Sequence, residues 1–216
     1  MKVIMIAACT VCARISPATM GSETDRKMLT QMRLETDASL MGAGTLRAGD
    51  PEMRGPNRVL PAGRMRAIMT EKGELLGNER NLFRYPPPPI IFCPVRKEKA
   101  IKKSLGLRAQ VIPLPPGPCG LSVRSALAWL AEQGARSVLV EGGGRLNYAC
   151  LAEGVVDEMY LTITPKLSGD RDAALLVNGS GPLGTPFLSL ALLSCESAAT
   201  GEIYVRYRVL NNEKEK

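Results

Sequence analysis

The chain has 216 residues, 45% of them hydrophobic, and a formal net charge of +7. That length can bury a proper core in a single domain, and a mean hydropathy of −0.01 fits a soluble globular protein. The basic balance favours anionic partners such as phosphorylated metabolites or dinucleotides. Aromatic residues make up only 4%, too few for base-stacking surfaces, and the basic residues are scattered, so nucleic acid is not expected as a partner. There is no histidine, which excludes a Ser-His-Asp mechanism and a histidine zinc site. Six cysteines are spread along the chain, most of them in apolar runs, as reduced buried cysteines are. Cys9 and Cys12 have the spacing of a redox or metal pair, but no second pair follows.

In chain order, Lys2–Cys9 reads as a buried strand rather than a signal segment, and no stretch reaches the length of a membrane span. Ser22 caps a helix, with Asp25 three residues on, and Met28, Leu29, Met32 and the stem of Arg33 form its packed face. Ala38–Met41 is a short strand closed by a glycine-bounded loop, Gly42–Thr45. Gly49–Gly63, rich in proline, glycine and arginine, is a loop. Met65–Thr70 returns to strand, with a turn at Lys72-Gly73. Tyr85–Pro89 leads stiffly into the strand Ile90–Cys93. Lys97–Leu105 is helical, Gln110–Pro113 a strand and Pro115–Gly120 a loop. Ser122–Gln133 is a helix ended by Gly134.

Val138–Ala149 carries the strongest local signal. A β-branched strand ends in Glu141, three glycines follow, and a helical pattern begins. Such a strand–turn–helix presents backbone N–H groups and a helix dipole to an anion, and Gly142, Gly143 and Gly144 let the backbone approach it closely. Val155–Ile163 and Ile203–Val209 are the last expected strands, and Asn211–Lys216 is a charged tail. Alternating strands and helices predict an α/β fold with a mostly parallel mixed sheet between helix layers and antiparallel strands at its C-terminal edge. One domain over residues 1–210 is the simplest division.

Several segments in order resemble the pyrimidine reductase family of riboflavin biosynthesis, a reductase with a dihydrofolate-reductase-like fold. Ala8–Ile15 stands in place of the family's Ala-x-Ser-Leu-Asp-Gly-Lys/Arg-Ile, and Arg33–Ala38 is similar to its Arg-x-x-x-Asp-Ala. Gly42–Pro51 resembles its Gly-x-x-Thr-x-x-x-Asp-Asp-Pro, and Glu141–Leu146 its Glu-Gly-Gly-x-x-Leu. The strand near Val156-Asp157-Glu158 and the turn Thr164–Gly169 follow in register. Each motif alone is weak, and five in register are specific.

The resemblance implies NADPH-dependent reduction of a ribosylamino-pyrimidine 5′-phosphate, in which the ring-opened ribosyl imine takes hydride. NADH remains the alternative donor. It further implies a cytoplasmic homodimer. Glu141 and Cys12 would sit at the chemistry, and Arg33, Arg54 and Glu141 on the substrate side. Ala8, Thr45, Gly49, Asp50, Thr70, Glu71, Gly142, Gly143, Gly144, Arg145, Leu146, Asn147, Tyr148 and Ala149 would line the cofactor. Arg33 also has a structural reading, as a helix-end cation paired with Glu35 or Asp37.

The chain departs from the family pattern at named positions. Cys12 replaces the family aspartate, Ile6 a lysine, and Gly49 the first of two aspartates. Met53–Arg58 replaces a Leu-Thr-x-Arg, leaving Arg54 or Arg58 to supply the guanidinium. Glu71 would repel a 2′-phosphate and favour NADH, unless Lys72 compensates. The zinc-deaminase signature is absent from these residues, so upstream deamination falls to another chain. The alternatives are reduction of a different imine or pterin, or a non-catalytic nucleotide binder.

Overall fold

The computed structural model describes residues 1–16, 20–75, 80–185 and 187–210; the charged tail expected at 211–216 lies outside them. Strands β1 (Lys2–Thr10), β2 (Ala38–Gly42), β3 (Met65–Met69), β4 (Ile90–Pro94) and β5 (Gln110–Leu114) come first. A two-stranded hairpin, β6 (Pro116–Gly117) with β7 (Gly120–Leu121), then precedes β8 (Ser137–Val140), β9 (Glu158–Thr164), β10 (Leu190–Ser197) and β11 (Ile203–Val209). The helices are α1 (Glu23–Glu35), α2 (Ala43–Gly49), α3 (Asn81–Arg84), α4 (Val95–Leu105), α5 (Val123–Glu132) and α6 (Gly144–Ala152).

The main sheet runs β10-β11-β9-β1-β8-β2-β3-β4-β5. From β9 to β5 every pairing is parallel, and β11 and β10 then add antiparallel strands at one edge. Because side chains alternate across a strand, the buried parallel strands serve two cores. Val3, Met5, Leu40, Phe92, Val138 and Val140 pack against α5 and α6 on one face. On the other, Ile4, Ile6 and Leu139 meet α1 through Met32, while Ile68, Ile91 and Cys93 meet α2 and α4. The expected three-layer arrangement is therefore present.

Local signals account for most boundaries. The Ser22 hydroxyl accepts from the Asp25 amide, as a capping box requires, and donates to Glu202 at 2.5 Å. Ser122 caps α5 in the same way, and Gly134, at φ +97°, ends that helix's last turn.

The structure corrects three expectations and adds one strand, β10, to those expected. Gly42–Thr45 is not a loop: helix α2 begins at Ala43, where Ala43 and Leu46 find buried positions. Pro115–Gly120 contains the small β6–β7 hairpin rather than only loop. The strand expected from Val155 starts at Glu158, because Val156 is spent in the core before the strand begins. Edge strand β10 carried no clear alternation, since nearly all of it is exposed.

Candidate active site

The parallel strands all point their carboxyl ends the same way, and α/β sheets hold ligands there. A cleft of about 510 Å³ opens at that edge, a usual size for a small-molecule site. The turn between β8 and α6 forms its floor. Gly142, at φ +82°, takes a conformation that side chains with a Cβ rarely adopt, and its carbonyl accepts from the Gly42 amide at 2.7 Å. Gly144 opens α6 beneath the strap 173–178. A Cβ on it would lie 2.2 Å from the Leu175 carbonyl oxygen, so only glycine fits beneath that strap. Leu175 pairs with Arg14, and Asn178 donates to the Gly144 carbonyl at 3.0 Å.

The first amides of a helix have no acceptor within it, and at α6 they belong to residues on the cleft wall. Thr45, Thr70, Glu71, Gly143, Gly144, Arg145, Leu146 and Ala149 line the cleft. Arg47, Lys72 and Arg145 make its charged rim predominantly positive, with Glu71 the opposing acid. The Glu71 carboxylate accepts from the Leu121 amide at 3.0 Å.

Other candidates lie elsewhere. Ala8 is half-buried on β1, paired with Thr162. Gly49 ends α2, and Asp50 accepts from the Asn81 amide and side chain at 3.1 and 2.9 Å, fixing α3. Asn147 is fully buried and donates to the Leu176 carbonyl at 2.8 Å. The Tyr148 ring lies against Gly179. Cys12 is exposed in the turn after β1 and is not part of the cleft wall. Its sulfur lies 3.2 Å from the Thr10 hydroxyl and accepts from the Ser168 amide at 3.4 Å. These bonds, the Thr10 contact foremost, pull its thiol below the ordinary value.

Glu141 turns away from the cleft. Its carboxylate takes a two-pronged ion pair from Arg33, Nε at 3.0 Å and Nη2 at 2.6 Å, and accepts from Ser39 at 2.5 Å. Arg33 is thus paired with Glu141 rather than with Glu35 or Asp37 as its structural reading held. Arg64 extends the network, donating to Ser39 and to Thr36. Burial works to raise the Glu141 carboxyl, but the Arg33 charge and hydrogen bonds, Ser39 and Arg64 hold it below the usual carboxylate range. A carboxylate with a lowered native pKa stabilises the fold fully above its unfolded value of about 4.3, and that stability drains as pH falls through the native value. The stability advantage of the native chain over Glu141→Gln is therefore expected to shrink below about pH 4 in urea titrations across a pH series.

The same guanidinium reaches a second cleft. Arg33 Nη1 donates to the Arg54 carbonyl at 2.9 Å. Arg54 and Arg58 flank the Tyr85 ring at 5.7 and 5.5 Å from its centroid, and with Pro86 they line a cavity of about 380 Å³. Arg58 is also ion-paired with Glu52. Sequence reasoning did not find Arg47 or the strap residues Ala174, Leu175 and Asn178. Arg47 sits one turn after Ala43 on α2, a spacing that the loop reading hid. The strap comes from distant sequence with no local signal.

The sheet order, the cleft at its carboxyl edge and the glycine turn define an α/β fold of the dihydrofolate-reductase type. The chain belongs to the family of the RibD C-terminal domain, the pyrimidine reductases of riboflavin biosynthesis, whose model matches residues 2–204. It is 30% identical over 185 residues to the 2,5-diamino-6-ribosylamino-4(3H)-pyrimidinone 5′-phosphate reductase of Methanothermobacter thermautotrophicus, covering 83% of this chain and 84% of that one. A protein of the same name from Archaeoglobus fulgidus is 28% identical over 175 residues, covering 73% of this chain and 74% of that one. Among solved structures, the fold matches a pyrimidine reductase-like protein from Corynebacterium diphtheriae with a TM-score of 0.78 at 23% identity, covering 97% of this chain and 92% of that one. Among the described residues no helix is long and apolar enough to cross a membrane.

Proposed function

We propose that this chain reduces a ribosylamino-pyrimidine 5′-phosphate with a reduced nicotinamide dinucleotide, converting the open ribosyl imine to a ribityl amine. The observation that carries the reading is the glycine-floored cleft at the carboxyl ends of the parallel strands, in a chain whose relatives bear the name of that reductase. The cleft fits a dinucleotide in size, in its positive rim and in the close backbone approach at Gly144.

The bound dinucleotide supplies hydride, and imine reduction needs little more than alignment and a proton for nitrogen. The amides opening α6 after Gly143, with Thr45 beside them, would hold the pyrophosphate. Thr70, Glu71 and Lys72 would meet the ribose, and Ala8, Gly49 and Asp50 would act from behind the wall. NADPH is the proposed donor, with Lys72 and Arg47 offsetting Glu71 at a 2′-phosphate; NADH is the alternative. Arg54 and Arg58 would take the substrate phosphate, for which a guanidinium fork is suited. Glu141 stays ionised against Arg33, so its part is to hold the substrate side rather than to give a proton. Cys12, exposed on the turn after β1 and outside the cleft wall, is given no step in this reading. We place the enzyme in the cytoplasm as a homodimer.

The test is a steady-state assay with NADPH and the phosphorylated diaminopyrimidine riboside, following loss of the reduced-nicotinamide absorbance. Consumption that requires both compounds is the expected result. A protein that binds both and turns over neither contradicts the reading.

A further inference from the structure

Arg66 lies on β3 in phase with Ile68, on a face otherwise given to the core, and is only 2% exposed. Among the described residues no carboxylate is bonded to it. Instead its guanidinium donates to four main-chain carbonyls: Glu52 at 3.1 Å, Leu82 at 3.2 Å, Tyr85 at 2.9 Å and Pro87 at 2.5 Å. A planar fork with five donors can serve several acceptors at fixed angles, as an ammonium cannot.

Those carbonyls belong to the two segments that form the second cleft. One carries Arg54 and Arg58, the other Tyr85 and Pro86. The first is a strained segment: Asp50, Met53, Asn57 and Arg58 all have φ between +46° and +62°. Non-glycine residues rarely hold such angles, and they persist where surrounding structure over-determines them. Here the over-determination is visible. Arg66 grips the carbonyl before Met53, Arg33 grips the one after it, and the Met53 side chain is fully buried. Arg54 in turn donates to the carbonyls of Arg58 and Pro86, closing the second cleft.

We infer that Arg66 is a positioning residue for substrate recognition: by holding both segments through their carbonyls it presets the Arg54–Tyr85–Arg58 cleft for a sugar phosphate. The inference rests on the functional reading above, in which that cleft takes the phosphate end. The dinucleotide cleft shares none of the four carbonyls, so the two sites should respond separately.

The experiment measures binding of ribose 5-phosphate and of NADPH by calorimetry, for the native chain and for Arg66→Lys and Arg66→Met. The expected result is a tenfold or greater loss of ribose 5-phosphate affinity in Arg66→Met and a smaller loss in Arg66→Lys, with NADPH affinity within twofold of native in both. If Arg66→Met does not fold, Arg66→Lys alone decides. Native ribose 5-phosphate affinity in Arg66→Lys, or equal loss of both ligands, overturns the inference and leaves the functional reading standing. A native chain that binds neither ligand overturns both.

Discussion

Truncating Glu141 to alanine is expected to lower the unfolding free energy by about 3–5 kcal/mol, the usual cost of stripping one partner from a buried ion pair. The reason lies in what is left behind. Arg33 and Arg64 are 8% and 3% exposed, and Glu141 is the carboxylate of their network. Without it two guanidinium groups stay buried with too little counter-charge. Burial already pulls the Arg64 pKa down to about 10, although it remains charged at neutral pH. Urea unfolding at neutral pH measures the loss, and a change below about 1 kcal/mol would mean that water or relaxation replaces the pair. Glu141→Gln, which keeps the shape, should lose less than the truncation.

Gly144→Ala should weaken dinucleotide binding about fivefold or more. The added Cβ would meet the Leu175 carbonyl oxygen at 2.2 Å and Asn178 at 3.2 Å. The close contact is with main chain, so no side-chain rotation relieves it. Either α6 tilts or the strap 173–178 lifts, and both move the wall that faces the ligand. Overpacking of this kind costs about 1–3 kcal/mol, which in binding is on the order of 5- to 150-fold. Gly143→Ala is the contrast: its Cβ would meet the Thr45 hydroxyl at 2.9 Å, the end of a rotatable side chain. Parallel calorimetry on both variants measures the difference, and equal affinities would show that the strap is free to move.

Features held by neighbours in sequence were readable from it. The β1 run, the Ser22 cap and the strand–glycine–helix signal of Val138–Ala149 are each specified within about a dozen residues; the first two stand where they were expected, and in the third the helix opens at Gly144, directly on the glycines. The site was legible in part for the same reason: the glycine turn announces its own backbone. Contacts across the chain were not legible. Glu141 and Arg33 are 108 positions apart, and nothing local says that a carboxylate after a strand turns to the opposite face of the sheet. Period-two alternation could have raised that possibility, because Glu141 follows Leu139 and not Val140 in phase. Arg66 carried a similar unused signal, a charge in the interior of the apolar strand Met65–Met69. The rule that a buried charge must find partners flags it, and only the folded chain shows that those partners are four carbonyls.

On the proposed function, the glycine-floored cleft is a working dinucleotide site. Side-by-side calorimetric titration of the native chain with NADPH and NADH tests it most directly. Saturable one-to-one binding of at least one of them, with Gly144→Ala weakened as above, is the predicted result. Absence of binding for both at millimolar concentration would contradict the account.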